Sequence, residues 1–95
     1  MIVTTTNEIY GKTITEYLGV VFGEVVDFAY TGWSFQQLCE KYEEKMVQEK
    51  YKALYVMKTN AEKIGANAIV GVSFSFDRDS RILSVSATGT AVKIV

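Results

Sequence analysis

The stretch EKIGANAIVGVSF, residues 62–74, constrains this chain most: it reads as a helix end, a single-glycine stop, and a strand with apolar residues on both faces. Gly65 is expected just past the helix, where glycine most readily takes the left-handed backbone that closes a helix end. Strict alternation over AIVGVSFSF places Ala68, Val70, Val72, Phe74 and Phe76 on one side, and Ile69, Gly71, Ser73 and Ser75 on the other. Such a strand needs cover on both faces.

The segments around it extend the pattern. IVTT, residues 2–5, predicts a short first strand, and NEIYGK a turn. TITEYLGVVFGEVV carries Ile14, Leu18, Val20, Phe22 and Val26 at even positions, and Tyr17, Gly19, Val21, Gly23 and Val25 at odd ones. It reads as a second strand covered on both sides, with Gly19 and Gly23 marking a bend, a bulge or a close backbone approach. DFAYTGW, residues 27–33, is a link, and Ser34 an N-cap for a helix from Phe35 to Ile64, with a break near Cys39–Tyr42. Val47, Leu54, Met57, Ala61 and Ile64 form its sheet-facing stripe, interrupted by Lys50. DRDSR is a charged turn, and ILSVSATGTAVKIV a last strand whose apolar parity changes after Ala91, as a bulge near Gly89 would produce.

The order β-β-α-β-β predicts an α+β fold, a small antiparallel sheet packed on one long helix, spanning residues 1–95 as one domain. One amphipathic helix covers one sheet face. A domain this short buries only about 60–65% of its unfolded surface, so the economical cover for the second face is another copy of the chain, in a homo-oligomer.

Composition narrows function. A net charge of −1 with scattered Lys and Arg gives no basic stripe for a phosphate backbone, so nucleic acid is not an expected partner. No apolar run approaches the roughly 18 residues of a membrane span. MIVTTTNEIYGK lacks the pattern of a secretory leader, and cytoplasm is the expected compartment. The lone Cys39 cannot form an intramolecular disulfide. Ser and Thr are plentiful, but the chain has no histidine to serve as their base, and GANAIVG leaves a helix rather than opening one, unlike a phosphate loop. No enzymatic activity and no cofactor are expected.

GKTITEYLGVVFGEVV, GANAIVGVSFSF and SVSATGTAVKIV together resemble the YbjQ-like family, which carries the label "putative heavy-metal-binding domain"; the resemblance runs from Met1 to Val95. It implies a dodecin-like subunit assembled as a ring, pentameric by the family's pattern. Two departures stand out: a shorter segment over VDFAYTGWSFQQLCEK, and Tyr51 and Tyr55 at helix positions where relatives carry charge.

The label directs attention to metal ligands. A structural zinc site takes roughly four thiolate or imidazole ligands, and this chain has one Cys and no His. Binding therefore requires several copies converging Cys39, or carboxylates of neighbouring subunits, Glu16 and Glu24, holding a hard cation. The plain alternatives are an apolar Cys39 and rim carboxylates paired with Lys or Arg. Under strict alternation Glu16 and Glu24 share a face roughly 26 Å apart, too far to act as an acid/base pair. Tyr51 and Tyr55 lie one turn apart, and Tyr55 points away from the stripe. They contact a partner, with Trp33 as an anchor, or are covered by residues 27–41; the sequence leaves both open.

Overall fold

In the computed structural model the chain folds as β1 (Ile2–Val3), β2 (Ile14–Asp27), α1 (Phe35–Lys63), β3 (Ala68–Asp79) and β4 (Ile82–Ile94). Residues 1–27, 35–79 and 82–95 are described, with side chains for 1–26, 44–77 and 84–95. Ser34, and with it the expected N-cap, lies outside them. The element order and the α+β class are those expected. One four-stranded sheet runs in the order β1-β3-β4-β2, and α1 packs on one of its faces, chiefly against β2 and β4. The three long strands are antiparallel, while the two-residue β1 joins β3 in parallel, so the sheet is mixed. The strands extend into the expected turn DRDSR, with Asp79 paired to Ile82; residues 80 and 81 lie outside the described residues.

The helix is continuous over Phe35–Lys63, without a break at Cys39–Tyr42, and stops at Gly65, whose φ of 87° is left-handed as anticipated. Its buried stripe differs from the expected one. Ala53, Met57 and Ala61 are fully buried, with Glu49 on the same line, whereas Val47 and Ile64 are 49% and 47% exposed. The cause lies in β2. A β-carbon on Gly23 would stand 2.6 Å from the Met57 backbone nitrogen, so helix and strand meet backbone to backbone. That contact selects small residues one turn either side of Met57, and rotates Val47 and Ile64 outward.

Strict alternation also fails in β2 and β3, and for one reason. Register shifts insert an extra residue in β2 between Ile14 and Glu16 and again between Tyr17 and Gly19, and in β3 between Val70 and Ser73. Each insertion flips every later side chain to the other face. In β3, Ile69, Val72 and Phe74 therefore pack in the helix-side core, while Ala68 and Val70 belong to the opposite face. The bulge sits at Gly71, whose φ is 63°. The bulge expected near Gly89 is absent: β4 keeps regular alternation, and Gly89 lies opposite the β3 bulge, where a β-carbon would stand 2.6 Å from Ile69 Cγ2. The parity change after Ala91 arises because β4 is apolar on both faces there. Ala91 joins the helix-side core, and Val92 a second cluster with Ala68 and Val70, flanked by Ile9, Ile14 and Ile94.

The second sheet face is thus partly covered by the chain's own residues before β2. Asn67 fastens that end: its side chain donates to the Ile94 carbonyl at 3.0 Å and accepts from the Ile94 amide at 2.7 Å.

Candidate functional site

Beyond that cluster the outer face is open. The pairings Val20↔Thr90, Phe22↔Thr88, Glu24↔Ser86 and Val26↔Ser84 put the four β2 residues on the outer side, beside hydroxyls of β4. They form a ridge along the rim strand: Val20, Phe22 and Val26 are 60%, 55% and 56% exposed. Tyr17, paired with Val92, continues it at 69%. The strand under the ridge is held firmly, because Asn60 of α1 donates to the Phe22 carbonyl at 2.8 Å.

On the helix side, at the opposite rim, a groove of about 340 Å³ runs between α1 and β3, lined by Val47, Lys50, Tyr51, Leu54 and Phe74. Lys50, which interrupted the apolar pattern, lies at its lip with Nζ 4.9 Å from the centre of the Phe76 ring, a cation–π contact. Val47 is exposed because it walls this groove.

Two of the candidate metal ligands, Glu16 and Glu24, do not come together within one copy. The β2 bulge at Leu18 flips the alternation between Glu16 and Glu24, so they lie on opposite faces rather than one. Glu16 pairs across the sheet with Lys93, Oε2 to Nζ 3.7 Å, while Glu24 is exposed on the outer face. The Cys39 side chain lies outside the described residues. Among the described residues no three His, Cys, Asp or Glu side chains form a cluster. With one cysteine and no histidine in the whole chain, the residues of a single copy do not fit a soft-metal site.

Glu49 is the carboxylate that pattern reading missed. It is fully buried on the sheet side of α1, and its Oε1 takes Lys45 Nζ at 3.1 Å and Lys52 Nζ at 3.3 Å. Its Oε2 has no hydrogen-bond partner among the described residues. Two ammonium groups already crowd this carboxylate, which makes it a poor place for a further cation. The only advance signal was spacing: Glu49 sits at i−4 to Ala53 and i−8 to Met57.

Tyr51 and Tyr55 are 68% and 72% exposed. Tyr51 lines the groove and Tyr55 continues the surface one turn on. Trp33 and the arrangement of residues 28–34 lie outside the described residues. Among the described residues no helix is long and apolar enough to cross a membrane.

Comparison with known proteins places this architecture. A family model described as "Putative heavy-metal-binding" (YbjQ_1) matches residues 1–95. A UPF0145 protein of Clostridium botulinum is 44% identical, over 97% of each chain. A UPF0145 protein of Geobacillus kaustophilus is 40% identical, over 99% of this chain and 98% of its own. One from Bifidobacterium longum is 38% identical, over 99% and 96%. Among solved structures, a Pediococcus pentosaceus protein of the DUF74 family superposes with a TM-score of 0.77 at 21% identity, covering 100% of this chain and 98% of its own. The full-length family match and these relatives make the chain a member of the YbjQ family, which includes the UPF0145 proteins.

Proposed function

We propose that this chain is a building block of a cytoplasmic homo-oligomeric ring, pentameric by the family resemblance, that binds or scaffolds rather than catalyses. One observation carries the reading: an apolar ridge of Tyr17, Val20, Phe22 and Val26, each more than half exposed, on a sheet face that one helix and the segment before β2 leave open. Contiguous apolar surface of this kind marks contact with another macromolecule. The lack of histidine, and the single exposed carboxylate on the ridge, supply no acid/base pair for chemistry.

Native mass spectrometry of the untagged chain, purified without chelator, tests this reading. A defined ring of copies is expected, and a monomer at micromolar concentration would refute it. The same spectrum reads metal uptake. A binding role for Glu16, Glu24 and Cys39 requires convergence of several copies, and predicts a reproducible extra mass that Cys39→Ser or Glu24→Gln removes.

A further inference from the structure

We propose that the ridge and the groove are the two halves of one contact: the β2 ridge of one copy seats in the α1–β3 groove of the next. This rests on the homo-oligomer reading above, and names the surfaces that make it.

Three observations select this arrangement. The first is placement. Ridge and groove lie at opposite rims of the sheet and on opposite faces, β2 outer side against β3 helix side. A contact between two different patches repeats head to tail, and closes into a ring when its rotation permits.

The second is charge. Glu24 is the one charged residue on the ridge between Val20 and Val26, and Lys50 is the one charged residue lining the groove among the described residues. Phe22 and Glu24, two residues apart on one strand face, stand about 7 Å from each other. The groove wall from Val47 to Leu54 is about 10 Å of helix. With the Phe22 ring between Leu54 and Phe74, the Glu24 carboxylate comes within reach of the Lys50 side chain.

The third is the state of the strand edge. β2 is a rim strand, and extending the sheet along it is the obvious alternative. Its two bulges interrupt the edge up to Gly19, and along the regular stretch from Val20 to Asp27 the side chain of Asn60 occupies the Phe22 carbonyl. Bulges and covering groups are how sheets resist edge-to-edge pairing. That leaves the face of β2, rather than its edge, as the docking element.

The test is native mass spectrometry with light scattering on the full chain and on Phe22→Lys, Glu24→Lys, Lys50→Glu and the Glu24→Lys/Lys50→Glu double variant. Circular dichroism melts check that each is folded; Phe22 is 55% exposed, so its replacement leaves the core intact. The proposal expects Phe22→Lys to be a folded monomer at micromolar concentration. Each single charge reversal should weaken assembly about tenfold or more, by setting like charges against each other, and the double variant should recover most of that loss. Single reversals that assemble as the parent does, or a double variant no better than either single, would overturn the pairing while leaving an oligomer standing. Loss of assembly with Phe22→Lys but none with Lys50→Glu would mean that the ridge packs on its own copy, and would overturn it too. A monomeric parent chain would remove both the pairing and the ring.

Discussion

Gly23 lies directly beneath Ala53. A β-carbon on Gly23 would overlap the Ala53 carbonyl oxygen and press on the Met57 backbone nitrogen. Both obstacles belong to helix backbone and cannot swing aside as a side-chain tip would. Gly23→Ala must therefore lift α1 from β2 and loosen the packing of Ala53, Met57 and Ala61. The expected loss is about 3 kcal/mol, the upper end of overpacking costs, read as a lower urea midpoint at unchanged slope. An unchanged midpoint would show that the helix does not rest on β2 at this turn.

Gly71 carries the β3 bulge with a φ of 63°, yet a β-carbon there meets nothing nearer than Asn7 Oδ1 at 3.5 Å. The cost of Gly71→Ala is therefore conformational rather than steric, about 1 kcal/mol for the left-handed region. Gly71→Asn should recover part of it, since asparagine tolerates that region better. Equal stability of the alanine variant and the parent would mean that the bulge relaxes away.

How much of this was readable beforehand depended on whether a feature was local. Gly65 stops the helix by a local rule, and the long apolar runs announce strands by composition, so the β-β-α-β-β order followed directly. The side of the sheet that each residue faces did not follow, because it depends on the extra residues in β2 and β3, which no alternation count can locate. Gly19 marked a bend, a bulge or a close approach, and a bulge does lie beside it at Leu18, but that it is a bulge, and so parts Glu16 from Glu24, shows only against the partner strand. The helix stripe was legible in part. Met57 and Ala61 are buried as expected and Leu54 packs against the core, but Val47 and Ile64, which looked like core by size, are exposed, and the approach at Gly23 favours the small Ala53 instead. The ridge was readable as surplus apolar residues on β2, and the groove was not, because Phe74 meets Val47 and Leu54 only after the bulge at Gly71 turns it toward the helix.

Asn67 acts as a clip at the end of β4. It makes two side-chain hydrogen bonds with the Ile94 backbone, and its own amide donates to the Val92 carbonyl at 3.1 Å. Asn67→Ala removes the two side-chain bonds at a partly solvated site, for an expected loss of about 1–2 kcal/mol. Asn67→Asp should be no milder, because the carboxylate still accepts from the Ile94 amide but opposes its carbonyl. Hydrogen exchange of the Ile94 amide gives the sharper readout: it should accelerate in Asn67→Ala, which removes its acceptor. Unchanged protection there would show that strand pairing with β2 alone secures the end of β4.

Glu49 sets a charge inside the helix–sheet layer, and how that layer responds to its removal depends on what replaces it. Glu49→Ala deletes an acceptor shared by Lys45 and Lys52 and opens space beside Ala53. The expected loss is about 2–3 kcal/mol, somewhat below the cost of breaking a fully buried pair, because Lys52 is 57% exposed and reaches water. Glu49→Met keeps the volume and puts a methyl group where Oε2 has no hydrogen-bond partner among the described residues, so it should lose less than alanine does. The denaturation midpoints of the two variants separate the contributions of charge and bulk. If Glu49→Met falls as far as Glu49→Ala, the carboxylate supports the helix through its charge rather than its bulk, and the orphaned Oε2 is no burden to the fold.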